Sequence, residues 1–233
     1  MKERHLVAIG GGSLATREHR NPLDRYCLDL TGKTAARVCY VGTASGDRPD
    51  RFEEFKTAWN DLAAEVSELS LFHPHTRDIR GFLLGQDLIW VGGGNTRNLL
   101  LLWAAWGVDT ALREAWETGV VLAGSSAGGL CWYEDGLTDS FGPGYEPLSC
   151  LGWRSGSFCP HWDGEPERQN RYLSLVRDGI LHPGWAVDEM VGLHYADDAL
   201  ARIVSGREGA GAYRVSRQEE GVQVEPHPAT LLP

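Results

Sequence analysis

The chain has 233 residues, 42% hydrophobic and 23% charged, the balance of a soluble globular protein with enough length to bury a sizeable core. Its formal net charge of −10 argues against a nucleic-acid or anionic-membrane surface, because such partners need clustered Lys and Arg. Five scattered cysteines without a CxxC, an apolar start too short for a signal peptide, and no run near roughly 18 apolar residues predict a cytoplasmic protein with reduced thiols and no membrane span.

Short apolar runs that meet glycine clusters organise the first two thirds of the chain. His5–Ile9 runs into Gly10-Gly11-Gly12, and Arg37–Val41 into Gly42-Thr43-Ala44-Ser45-Gly46. Leu88–Val91 runs into Gly92-Gly93-Gly94-Asn95-Thr96, and Val120–Ala123 into Gly124-Ser125-Ser126-Ala127-Gly128-Gly129. Fully apolar strands alternating with helices predict an α/β fold, with a mostly parallel sheet covered on both faces. Helices are expected over Arg51–Glu65, Asn98–Ala105, Asp109–Trp116, Ala127–Trp132 and Glu167–Asp178, with Asn95 or Thr96 capping the second. Late strands are expected at Ala199–Val204 and Gly211–Val215, and a loose Pro-rich tail at Glu225–Pro233. With no repeat or linker, residues 1–233 read as one domain. The glycine clusters fall at the carboxyl ends of the strands, where open parallel sheets bind ligands.

Gly124-Ser125-Ser126-Ala127-Gly128 fits G-x-S-x-G, with a strand before it and a helix after it. Small residues two positions either side of Ser126 let the backbone fold tightly and expose the hydroxyl. Ser125 falls off-centre. The Ala127 N–H is then placed to donate to an oxyanion. The competing reading is turn chemistry or a helix cap. A serine nucleophile also needs a base, and pattern alone favours His161 only slightly, at the end of an apolar run in "SGSFCPHWDGEPERQ". Asp139, Asp163, Asp188 and Glu189 all remain open as the acid that orients it.

"VGGGNT" (Val91–Thr96), "GSSAGG" (Gly124–Gly129), "CPHWDGEPERQ" (Cys159–Gln169) and "AVDEMVGLHY" (Ala186–Tyr195) occur in that order, and together they resemble peptidase E, the aspartyl dipeptidases of serine peptidase family S51. The resemblance covers about Arg4 to Val215. It implies a three-layer α/β/α, doubly wound fold of the class I glutamine-amidotransferase type, with serine in place of that superfamily's cysteine. It implies Ser126 as nucleophile, His161 as general base, and Gly93 or Gly94 opposite Ala127 in the oxyanion hole. For the acid it ranks Glu189 first, then Asp139, then Asp188. A one-residue step turns a side chain to the other face, so Asp188 and Glu189 are not expected to face the histidine together. By the same resemblance Arg168, with Arg171 behind it, holds the N-terminal aspartate of a substrate. Asn95, Thr96 and Trp162 are added as substrate-binding residues.

The activity so implied is hydrolysis of dipeptides or short peptides through an acyl-enzyme, with no metal and no cofactor. A small peptide is the expected partner, and a homodimer is compatible with the sequence. Three other readings stand beside it. An α/β-hydrolase-type esterase needs the order Ser…acid…His, which Ser126, Asp163 and His194 or His227 would supply. Gly10-x-Gly12-x-x-Ala15 partly matches a dinucleotide fingerprint, but the second strand does not end in an acid for the ribose. An inactive pseudopeptidase would keep the fold as a binding module. Of nine tryptophans, Trp90, Trp103, Trp106 and Trp116 fall in core-like patterns. Trp132, Trp153, Trp162 and Trp185 lie near the proposed site segments, as packing or as a pocket wall.

Overall fold

The computed structural model describes residues 3–12, 21–62, 65–164 and 166–233. Ala15, invoked for the dinucleotide fingerprint, lies outside them. Five parallel strands form one side of an eight-stranded sheet: β1 (His5–Ile9), β2 (Arg37–Val41), β3 (Glu65–Leu69), β4 (Leu88–Val91) and β5 (Val121–Ser125), in the order β1-β5-β4-β2-β3. Alternate residues serve opposite faces, as the pleat requires. Val7, Ile9, Val38, Trp90 and Val121 bury against helices α1 (Pro22–Asp29) and α2 (Pro49–Trp59). Leu6, Ala8, Val41, Val91 and Leu122 bury on the other side. There they meet α3 (Ile79–Leu84), α4 (Thr96–Trp106), α5 (Val108–Glu117) and α6 (Ala127–Leu130). Asn95, not Thr96, caps α4, its side chain accepting from the Asn98 N–H at 2.8 Å.

The remaining strands depart from the expected single sheet. A second, six-stranded sheet contains β6 (Tyr133–Thr138), β7 (Glu146–Ser149), β8 (Arg154–Cys159), β9 (Gly184–Val187), β12 (Gly211–Gln218) and β13 (Gly221–Pro228). One of its faces sends Tyr133, Phe158, Val187 and Ala212 into the core built on Leu6 and Leu122. The opposite face carries α7 (Pro166–Arg177) through Tyr172, Leu175 and Val176. Between β9 and β12 the chain returns to the large sheet as β10 (Val191–Ala196), antiparallel to β1, and β11 (Ala199–Ser205), antiparallel to β10.

Two expectations are corrected. The tail is not loose. It forms β13, paired along its length with β12, and β14 (Thr230–Leu231), which extends the large sheet beside β11. Pro226 and Pro228 fit because β13 is an edge strand, where missing N–H donors leave no ladder unpaired. The helix expected over Arg51–Glu65 stops at Trp59, and Glu65 opens β3. The polar pattern of β3 is that of a half-buried edge strand. Among the described residues no helix is long and apolar enough to cross a membrane.

Candidate active site

β5 delivers its carboxyl end to a turn in which Ser126 adopts φ 55° and ψ −111°. A non-glycine residue held there costs about 1–3 kcal/mol and persists only where its surroundings over-determine it. They do. The Ser126 N–H donates to Ile9 O at 3.0 Å, and its carbonyl accepts from the N–H groups of Gly129 at 3.0 Å and Leu130 at 2.8 Å. Gly128 is required because a Cβ there would overlap the Val91 carbonyl oxygen. Ser125 is the buried last residue of β5.

His161 sits just past β8, in the second sheet, with φ 56°. Its N–H donates to Gly10 O at 3.0 Å, and the next N–H, of Trp162, donates to Val187 O at 3.1 Å. These bonds pin the loop to both sheets. Gly11 lets the imidazole lie against the chain, since a Cβ there would run into Cε1 and Nδ1 of the ring. His161 Nε2 is 2.8 Å from Ser126 Oγ, and Nδ1 is 3.0 Å from Glu189 Oε1. A carboxylate only accepts, so Nδ1 carries the proton and Nε2 is left to accept from the serine hydroxyl.

Glu189 occupies the turn between β9 and β10, held by its N–H donating to Asp163 Oδ1 at 2.9 Å and by Met190 N–H donating to Gly11 O at 3.0 Å. Asp188 points elsewhere. It is buried, Oδ2 accepts from the Gly211 N–H at 2.9 Å, and burial raises its carboxyl above the usual range. The adjacent acids therefore diverge, though the turn between β9 and β10 and not strand alternation sets their directions.

Asp139 does not take the position beside His161. It lies with Oδ2 3.9 Å from Arg168, and the imidazole Nδ1 belongs to Glu189. Arg168 is buried on α7 with its guanidinium 4.5 Å from the centre of the Tyr145 ring. A cavity of about 370 Å³ brings Arg168 and Asp139 together with Ser126, His161, Asn95 and Thr96. Asn95 is occupied at both ends of its amide, capping α4 and donating to Ser140 O at 3.0 Å. The Thr96 N–H donates to Ser140 Oγ at 2.8 Å. Arg171 turns away to Tyr145 O and Glu146.

Trp162 is a correction. It is buried between Tyr172 and Tyr213 in the core under α7 and does not line the cavity, because the chain turns inward directly after His161. Trp132 and Trp153 likewise pack against each other, Trp132 also against Trp103 and Trp153 against Trp116. The esterase order is not assembled either. Asp163 holds Glu189 and Arg207, His194 is bonded to Tyr26 and His5, and His227 packs on Trp185.

A second cavity, about 610 Å³, is lined by Ser125, Gly93, Gly94 and His161 but also by Tyr40, Arg48 and Arg51. Sequence reasoning missed these last three. Nothing in their sequence context marks Arg48 and Arg51, and only the fold brings them to the cavity that His161 lines.

Residues 6–203 match the sequence profile of Peptidase family S51. The chain is 44% identical over 229 residues to the "Uncharacterized peptidase YgaJ" of Bacillus subtilis (strain 168), covering 98% of this chain and 99% of that one. Its fold is similar to that of a peptidase from an acI-B1 Actinobacterium, with a TM-score of 0.69 at 16% identity, covering 96% of this chain and 95% of that one. It is also similar to that of a putative peptidase E protein from Listeria monocytogenes EGD-e, with a TM-score of 0.63 at 16% identity, covering 97% and 100%. On sequence and fold together, this chain belongs to peptidase family S51.

Proposed function

We propose that the chain is a serine peptidase that hydrolyses dipeptides or short peptides through an acyl-enzyme. The observation that carries this reading is the continuous hydrogen-bonded line Ser126 Oγ–His161 Nε2, His161 Nδ1–Glu189 Oε1. His161 takes the hydroxyl proton as Ser126 attacks the scissile carbonyl, and Glu189 stabilises the imidazolium that forms. The Ala127 N–H, at the first position of α6, and an N–H of Gly93 or Gly94 receive the oxyanion. Gly93 suits this role because its backbone lies over the serine: a Cβ there would be 3.2 Å from Ser126 Cβ. His161 then returns the proton to the leaving amine. Water, deprotonated by the same histidine, releases the acyl group.

Arg168 holds the substrate's acidic N-terminal side chain in the 370 Å³ cavity. The guanidinium is buried beside the nucleophile, and a carboxylate is its natural partner. Asp139 keeps that charge balanced in the absence of substrate.

The test is hydrolysis of Asp-Leu, Ala-Leu and Gly-Leu by wild type and Ser126→Ala, beside labelling with a phosphonofluoridate serine reagent. Cleavage that disappears in the variant, with label on Ser126, is the expected result. Cleavage that survives in Ser126→Ala overturns the mechanism. Equal rates on all three dipeptides overturn the role of Arg168.

A further inference from the structure

Two cavities meet at His161, and Ser126 lines the first of them. On the Arg168 side, the positive charge is met by Asp139. On the other side, the 610 Å³ cavity is lined by Arg48 and Arg51, with no carboxylate in its wall among the described residues, and Tyr40 and Ser45 add hydroxyl groups. In a chain with a net charge of −10, two arginines line this one cavity. His161 and Gly94 line both cavities. A peptide whose acyl part sits by Arg168 and whose scissile carbonyl lies at Ser126 therefore continues past the imidazole into the second cavity.

We propose that this second cavity is the leaving-group subsite, and that Arg48 and Arg51 bind the free C-terminal carboxylate of a dipeptide there. The inference rests on the serine-peptidase reading and adds to it a basis for exopeptidase action. Length is measured by charge at the far end, because one residue beyond the scissile bond brings its carboxylate to the arginines. A longer peptide would present a neutral amide at that point.

The arginines are available for this. Arg48 is paired with Asp50 and Arg51 with Glu54, both pairs exposed and within or beside the first turns of α2. Exposed pairs of this kind hold their partners weakly. A guanidinium can accordingly keep its acidic neighbour on one edge and offer its remaining N–H groups to a ligand. Asp47, next to Arg48, anchors the loop before α2 by accepting from the N–H groups of Leu71 and Phe72.

The experiment measures binding calorimetrically on Ser126→Ala, where turnover does not intervene, with Asp-Leu, Ala-Leu and their C-terminal amides as probes. Wild-type hydrolysis of the same compounds is assayed in parallel. Each dipeptide acid is expected to bind at least about tenfold tighter than its amide, the scale of one charge-assisted contact. Adding Arg48→Gln and Arg51→Gln is expected to bring the ratio close to one, with the melting temperature unchanged because both side chains are exposed. An acid-to-amide ratio near one in Ser126→Ala, or a preference that survives both arginine substitutions, overturns the proposal. A preference for the acids without wild-type hydrolysis would instead remove the peptidase mechanism and leave the carboxylate site standing. Asp-Glu-amide, tested in the same way, separates main-chain from side-chain carboxylate. Binding as tight as that of Asp-Leu would overturn selection of the C-terminus.

Discussion

Asp163 accepts the backbone N–H of Glu189 at 2.9 Å, so the loop that carries His161 also holds the residue facing His161. Arg207 braces the same carboxylate from the opposite side. Asp163→Ala is expected to lower kcat about ten- to a hundredfold, since small misplacements at a reacting constellation have effects of that size. KM should stay close to wild type. Asp163→Asn should recover most of the loss, because its carbonyl oxygen can still accept from Glu189. Steady-state kinetics on a dipeptide would check this, and a loss confined to KM would contradict it.

Glu189 and Asp139 make opposite predictions. Glu189→Gln should reduce kcat by on the order of 10³-fold, by removing the charge that orients the imidazole and stabilises its cation. Asp139→Asn should leave kcat near wild type and change KM, because Asp139 faces Arg168. The same kinetic assay separates them. A kcat collapse in Asp139→Asn would return that residue to the acid's role.

His194 is buried on β10, where its Nδ1 is 2.6 Å from the Tyr26 hydroxyl and its Nε2 3.1 Å from His5 Nδ1. Burial, then the nearby positive charges of His5 and Arg202, pushes its pKa down from 6.5 to about 4. The folded state therefore resists a proton that the unfolded chain accepts below pH 6.5. Stability should be insensitive to this group above pH 6.5 and should fall as pH drops from 6.5 towards 4, by at most about 1.4 kcal/mol per pH unit. Urea unfolding at pH 7, 6 and 5 reads the slope, and His194→Gln should flatten it. An unchanged slope in that variant would assign the sensitivity elsewhere.

Trp162 adjoins His161 in sequence but serves the core. Trp162→Ala is expected to destabilise the fold by about 3–5 kcal/mol. Trp162→Phe should keep most of the stability and the wild-type KM. Chemical denaturation together with kinetics checks both. A KM change in a fully stable Phe variant would show substrate contact.

How much of this was legible in the chain follows from which surfaces each segment buries. β1, β2, β4 and β5 are covered on both faces, so they read as unbroken apolar runs ending in glycine. The strands of the second sheet carry Gly, Ser, Glu and Pro, as in Glu146–Ser149 and Arg154–Cys159, and have no such signature. Ser126 is chosen by local backbone demand and can be found in five residues. His161 lies 35 positions away from it and Glu189 a further 28, and no spacing rule links them. Pattern alone favoured His161 only slightly, and only the resemblance ranked Glu189 first. The choice between Asp188 and Glu189 depends on a turn in which Met190 has φ 63°, a local geometry that composition does not reveal. Trp162 was misplaced for a related reason: adjacency to His161 in sequence says nothing about direction when His161 itself turns the chain.

Ser126 follows a strand of one sheet, His161 follows a strand of the other, and Glu189 lies on the segment that passes between them. The proposed hydrolytic centre thus exists only where the two halves of the molecule are correctly mated. An acid-expanded state that retained its helices and strands but loosened that seam would look native by far-ultraviolet circular dichroism and yet be inert. Turnover is therefore a finer gauge of this protein's tertiary integrity than its secondary-structure signal, and on gradual denaturation the enzyme should fall silent first.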